Sequence, residues 1–192
     1  MVDSKNKDFF YPPGGILIWI IVFLELTVFC IGLIVFKSNA INHKNIFLES
    51  VRNLNLYTGT ANTIILLISG YFMAKTVQSA KLQLNESYKK YLKFTIIGGV
   101  LFSLLKAYEY VATLSAGHTI SYNIFYTFYW LITSFHLLHV LVGIVILMYF
   151  YLKRPNNNRP EYIENLEAAA IFWHMCDLIW VLVFTVFYLY WR

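Results

Sequence analysis

The chain has 192 residues, of which 59% are hydrophobic and 19% aromatic, with a formal net charge of +5 and a mean hydropathy of +0.59. This composition is too apolar for a soluble domain of this length, and basic residues in a membrane chain mark loops rather than a nucleic-acid surface. Five apolar stretches approach or exceed the roughly 18 residues that a membrane-spanning helix requires. We therefore predict an all-α, polytopic membrane protein without a nucleic-acid partner, in which residues 1–192 form a single domain, a bundle of five transmembrane helices.

The first two predicted spans are separated by a polar segment. The first covers residues 16–36 and carries a single charge, Glu25, about two and a half turns from its start. Residues 1–11 are polar and lack the basic, apolar and small-residue order of a cleavable signal peptide, so the first span is expected to remain in the protein. Residues 37–56 are predicted to form a loop, and the second span covers residues 57–78.

The other three spans, predicted at residues 91–114, 124–152 and 168–191, contain ionisable residues well inside the apolar sequence. Ionisable groups at such depth are costly unless they face protein or water, so by default they indicate function. Together with Glu25 they are the candidate site residues: Lys106 and Glu109, His136 and His139, and His174 and Asp177.

Lys and Arg residues are divided unequally between the two sides of the membrane. The amino end, the second loop and the fourth loop together hold nine of them, whereas the opposite side holds four. Because cytoplasmic loops carry an excess of Lys and Arg, the amino terminus is predicted to be cytoplasmic and the carboxyl terminus periplasmic.

The candidate residues are predicted to pair on shared helix faces. His136 and His139 are three residues apart, as are the partners in the other two pairs, and this separation puts two side chains on one face. At about 1.5 Å of rise per residue, these histidines, Glu25, His174 and Asp177 fall in one layer near the membrane midplane. The two acids are therefore expected to accept hydrogen bonds or charge from imidazoles on neighbouring helices.

The spacing alone leaves three interpretations of these residues open. They form a satisfied network that fixes helix packing, or they ligate a metal or haem, or they form a proton path with Glu25 as the carrier. A histidine pair three residues apart cannot supply both axial ligands to one haem, so a bis-His haem would need His174 opposite one member of that pair. Lys106 and Glu109 lie in the outer half and could pair with each other.

The cysteines and the remaining histidines carry weaker signals. Cys30 and Cys176 lie inside spans without a CxxC spacing, which favours two small buried hydrophobes over a zinc knuckle or a disulfide. His43 and His118 fall in predicted loops and are expected to be solvated.

Five motifs resemble the signatures of subunit III of the haem-copper oxidases, in that family's order and touching every span. Residues 135–143 (FHLLHVLVG) resemble its FHxLHVxxG signature, and residues 173–180 (WHMCDLIW) resemble the WHxxDxxW signature of its last helix. Residues 106–110 (KAYEY) are similar to its (K/Q)AxEY element, and residues 62–69 (NTIILLIS) to its NTxxLLxS element. Trp19 and Glu25 match the family's first-span pattern. In that pattern the acid is the family's carbodiimide-reactive glutamate.

Within that family the chain resembles a compact member. It has five predicted spans where the mitochondrial type has seven, and the two without a counterpart are the family's first helices. With residues 125–129 (FYTFY), this length is most similar to the E-type accessory subunit encoded beside bacterial nitric oxide reductases. Five-span third subunits of quinol and cytochrome oxidases are close behind. The family's lipid cleft adjoins those first two helices, so that site is not expected here in the same form.

The resemblance implies a noncatalytic integral membrane subunit of the bacterial plasma membrane, packed against catalytic subunit I of a haem-copper oxidase or a nitric oxide reductase. It implies no cofactor or metal in this chain, with haem and copper or non-haem iron in the partner. It also implies bound membrane phospholipids and support for assembly and proton uptake during aerobic or denitrifying electron transport. The seven candidate residues would then be structural, lipid-binding or proton-related.

Two other classes of function stay open. The midplane histidines and acids allow an independent membrane metalloprotein or b-type cytochrome. A small proton-coupled transporter has Glu25 in its favour, but no pair of Gly/Pro-broken spans marks a substrate site.

Overall fold

The computed structural model describes residues 12–153 and 160–190, and in this part of the chain it contains six α-helices and no strand. The helices are α1 (Ile16–Asn42), α2 (Lys44–Asn53), α3 (Leu56–Lys81), α4 (Asn85–Ser115), α5 (Ile124–Leu152) and α6 (Pro160–Phe184). A π-helical turn, Thr185–Leu189, continues α6. The prediction of an all-α fold is confirmed. Several residues of the predictions above lie outside the described ranges. These are the amino end, the last residue of the fifth predicted span, and Arg154, Arg159 and Arg192.

Within the described ranges, five helices are long and apolar enough to cross a membrane. They contain 26 to 31 residues when the π-helical turn is counted with α6, which corresponds to about 39–47 Å at 1.5 Å per residue. The hydrocarbon core of a bilayer is about 30 Å thick, so each helix can cross it with its ends in the headgroup layers. The chain is therefore a multi-pass membrane protein, as predicted, while the direction of insertion stays a prediction.

The segment between the first two spans is helical, and the prediction of a loop over residues 37–56 is wrong. The first helix continues to Asn42, and α2 follows after His43. Its composition is polar, but Phe47 and Val51, four residues apart, are both fully buried and lie on one face. A short amphipathic helix of this kind resembles a polar loop when only its composition is considered.

Helix α6 lies at the centre of the bundle and α1 at its edge. We compared the most apolar 18-residue stretch of each spanning helix: 56% of its residues are buried in the α6 span and 11% in α1. The central helix contacts α1, α3 and α5, and the fully buried Trp173 reaches α4 as well. Its indole is held between Gly99 and Gly143, where an added Cβ would lie 2.5 and 2.8 Å from ring atoms. Close approach of helices at such glycines is common in membrane bundles.

Candidate functional site

A buried ion pair ties together α4, α5 and the end of α6. The Lys106 ammonium, with no exposed surface, donates to Glu109 Oε1 at 2.9 Å. It also donates to the hydroxyls of Tyr129, at 3.2 Å, and Tyr188, at 2.9 Å, and both hydroxyls donate to the same carboxylate oxygen. Two charged groups and two hydroxyls thus bond to one another in a region where lipid offers no hydrogen bonds. The other carboxylate oxygen, Glu109 Oε2, is buried without a hydrogen-bond partner among the described residues.

Aromatic rings complete the surroundings of the ammonium group. Its nitrogen lies 4.8 to 5.5 Å from the ring centres of four residues: Tyr110, Tyr129, Trp180 and Tyr188. At these distances the negative faces of aromatic rings attract a cation. The predicted pairing of Lys106 with Glu109 is therefore present, but the spacing along α4 could not indicate its hydroxyl partners, which come from α5 and from the π-helical turn after α6.

The two histidines of α5 turn toward different helices. His136 is fully buried, and its Nε2 donates to the carbonyl of Cys176 in α6 at 3.0 Å. His139 Nδ1 donates to the carbonyl of Phe135, one turn earlier, and its Nε2 lies 3.2 Å from Glu25 Oε2 in α1. Because the free ring nitrogens do not converge, the pair cannot act as one bidentate ligand set in this arrangement.

The contact between Glu25 Oε2 and His139 Nε2 lies within ion-pair distance, but its geometry is not that of a hydrogen bond. The side chains are 18% and 11% exposed, and Phe29 packs edge-on against the imidazole at 5.8 Å. The pair joins α1 to α5, the cross-helix arrangement that the depth calculation predicts for this acid. It also lies at the edge of the bundle, so it is closer to the lipid or a neighbouring subunit than the Lys106 cluster is.

Asp177 pairs within its own helix, which differs from the expected contact with a neighbouring helix. His174 Nδ1 lies 3.2 Å from Asp177 Oδ2. The imidazole is 45% exposed while the acid is 9% exposed, so the pair opens to one side of α6. An added Cβ at Gly70 of α3 would lie 2.1 Å from the carboxylate oxygen, and only glycine leaves room for it there.

Among residues 12–153 and 160–190, no group of three or more His, Cys, Asp or Glu side chains lies close enough to hold a metal ion. The candidate residues instead form three separate pairs and one histidine–carbonyl contact.

Two minor expectations are wrong. Cys176 is buried but Cys30 is exposed on the outer face of α1, because that helix lies at the edge of the bundle. His118 is packed rather than merely solvated: its ring stacks on Tyr126 at 4.5 Å, and its carbonyl accepts the indole N–H of Trp130. His43, between α1 and α2, is exposed as expected.

Among the described residues, five helices of membrane-spanning length with ionisable side chains paired within or between them define a polytopic helical membrane protein whose apolar interior holds a few paired ionisable groups. A family model for cytochrome c oxidase subunit III matches residues 17–192. The chain belongs to the cytochrome c oxidase subunit III family, and the resemblance to subunit III of the haem-copper oxidases is thereby confirmed.

Curated relatives agree with this assignment. The chain is 33% identical to cytochrome c oxidase subunit 3 of Drosophila melanogaster over 128 residues, which is 66% of this chain and 48% of the fly protein. It is 28% identical to cytochrome c oxidase subunit 3 of Thermostichus vulcanus over 138 residues, or 71% of this chain and 67% of that protein. It spans about half the length of several of the curated insect relatives that it matches.

Proposed function

We propose that this chain is a noncatalytic membrane subunit of a bacterial haem-copper oxidase or nitric oxide reductase complex. Its partner would be catalytic subunit I, which would carry the haem and the copper or non-haem iron. Residues 1–192 would form one domain of the plasma membrane with a cytoplasmic amino end. The family match over residues 17–192 is the observation that carries this proposal.

The geometry of the polar residues supports a structural or proton-related role for them. Glu25, Glu109 and Asp177 each have a cationic or imidazole partner, and His136 donates to a backbone carbonyl. Of these groups, Glu25 with His139 is best placed to exchange a proton with a neighbouring subunit, because α1 lies at the edge of the bundle. Acidic and histidine side chains inside membrane helices serve as proton relays in pumps and transporters.

A groove between α3 and α4 supports the proposal of bound phospholipid. It has a volume of about 190 Å³ and is lined almost entirely by apolar side chains, including Ile68, Phe72, Phe94 and Leu101. Its small-residue base, Gly98 against Ser69, lets the helices approach each other closely. Such a groove fits an acyl chain, which needs apolar contact and no hydrogen bonds.

Copurification from native membranes tests the subunit assignment. We expect the tagged chain to retain a haem-bearing partner in mild detergent, and the chain stripped of that partner to contain no stoichiometric haem, iron or copper. The measurements are the visible absorption spectrum and metal analysis of both fractions. Stoichiometric metal in the stripped chain would favour an independent metalloprotein or b-type cytochrome instead.

The choice between oxygen and nitric oxide is part of the proposal. Residues 125–129, which resemble the E-type accessory subunit, favour a nitric oxide reductase partner, and three of them are buried in this bundle: Phe125, Tyr126 and Tyr129. Consumption of nitric oxide by the copurified complex, followed with a gas electrode beside oxygen consumption, distinguishes the two.

Replacing Glu25 with glutamine should shorten the active life of the complex without abolishing its haem spectrum. The substitution replaces the carboxylate beside His139 with an uncharged amide of similar size, which weakens the contact between α1 and α5. We expect the initial turnover rate to fall less than the number of turnovers before inactivation. The matched control is Glu49→Gln on α2, where the acid is exposed. A lost haem band in Glu25→Gln alone would contradict this role.

A further inference from the structure

A second groove, between α3 and α6, has a polar base in the middle of the membrane. Its volume is about 500 Å³, within the range of small-molecule sites. Exposed apolar side chains form its walls: Leu67, Tyr71, Leu178 and Leu182. His174 and Asp177 line it as well. We refer to it as the α3/α6 groove.

The base of the groove lies near the midplane. The membrane-spanning part that includes α6 covers Pro160–Leu189, and α3 covers Leu56–Lys81. His174 and Asp177 are close to the centre of the first, and Gly70 is close to the centre of the second. The headgroup layer is therefore about 15 Å away in either direction.

The histidine at this base keeps one ring nitrogen for a ligand. His174 Nδ1 lies 3.2 Å from Asp177 Oδ2, and the imidazole is 45% exposed, so Nε2 is left for a second partner. The Asp177 side chain is only 9% exposed, and its Oδ1, which has no hydrogen-bond partner among the described residues, is closed off from the groove. The acid therefore orients the imidazole, and the imidazole is the group that meets a ligand.

The occupant must bring hydrogen-bonding groups to the centre of the bilayer on an apolar body. Phospholipid headgroups stay at the interface, and acyl chains carry no donor or acceptor. A quinol meets both conditions, since its ring bears two hydroxyl donors and its tail is apolar. We propose that the α3/α6 groove binds the ring of a lipid-soluble quinol. A quinol hydroxyl donates to His174 Nε2, and Asp177 Oδ2 holds the imidazole in place through Nδ1.

Gly70 makes this site possible. A methyl group at residue 70 would lie 2.1 Å from Asp177 Oδ2 and 3.4 Å from His174 Nδ1, so it would force the carboxylate away from its position. This site belongs to the present chain and does not depend on which gas the proposed partner reduces.

Photolabelling tests the proposal. The full chain, with any partner that copurifies, is placed in phosphatidylcholine nanodiscs and labelled without oxygen with an azido derivative of a decyl benzoquinol. We expect the label on peptides from α3 and α6 of this chain. Unlabelled decyl benzoquinol should displace it, whereas decylbenzene, which has the same tail and no hydroxyls, should compete at least about fivefold less well, because a hydrogen bond contributes about 1 kcal/mol.

Variants locate the binding to the polar base. Asp177→Leu and Gly70→Ala each disturb the carboxylate that orients His174, so each should raise the concentration of decyl benzoquinol needed for half displacement by about fivefold. Gly32→Ala is the matched control, because its added methyl meets only Ile132 at an ordinary 3.6 Å. Equal displacement by decylbenzene and the quinol overturns the proposal even if a variant fails to fold. So does unchanged displacement in both folded variants, or labelling of this chain only outside the groove.

Discussion

Replacing Glu109 with leucine should lower the free energy of unfolding by about 3–5 kcal/mol. The substitution leaves the Lys106 ammonium fully buried without its counter-charge, and it removes the oxygen that accepts from Tyr129 and Tyr188. Removing one member of a buried pair is far more costly than removing both, because the remaining charge keeps its desolvation penalty. Unfolding in a graded detergent–denaturant titration, followed by circular dichroism, measures the loss.

The double variant Lys106→Met/Glu109→Leu separates the ion pair from simple packing. We expect it to be more stable than Glu109→Leu alone, since no charge is then left in the bundle. Glu49→Leu on the exposed face of α2 serves as the surface control and should change stability little. If the double variant is no more stable than Glu109→Leu alone, Lys106 and Glu109 do not act as an ion pair.

Trp173→Ala should destabilise the bundle by about 3 kcal/mol or more. The indole is fully buried at the junction of α4, α5 and α6, and its N–H donates to Ser69 Oγ of α3 at 3.2 Å. In lipid the helices gain little from the hydrophobic effect, so the loss comes mainly from the cavity and the missing contacts. The loss of stability is measured as the decrease in the thermal unfolding midpoint of the purified chain or complex.

Trp19→Ala is the matched control, because that indole is only partly buried at the edge of α1. A second test uses the glycine that faces Trp173. Gly143→Ala alone adds a methyl group 2.8 Å from the ring and should destabilise the protein, but in the Trp173→Ala background it should partly fill the cavity. Additive effects of these two substitutions would contradict the contact.

The sequence predicted the helices well because a membrane makes two demands that composition reveals: length and apolarity. It also predicted which side chains share a face, since Lys106 with Glu109 and His174 with Asp177 depend only on a separation of three. Depth along the helix placed Glu25 near His139. These successes need only the rise per residue and the helical period.

The missed features depend on how the helices rotate against each other. His136 and His139 share a face by spacing, yet their ring nitrogens reach α6 and α1 respectively. The position of Tyr129 could have been predicted, since it lies two turns before the buried His136 and therefore on the same helix face. The position of Tyr188 could not, because it depends on the π-helical turn.

That turn shifts the register of the bundle's central helix. Its backbone bond runs from Tyr190 N to the carbonyl of Thr185, five residues back instead of four. One residue in an α-helix corresponds to about 100° of rotation, so a one-residue deletion that restored regular winding would swing the phenol of Tyr188 away from Lys106. Sequence changes that conserve every side chain of the cluster but alter the length of this turn would thus uncouple the carboxyl end of the chain from its charged centre.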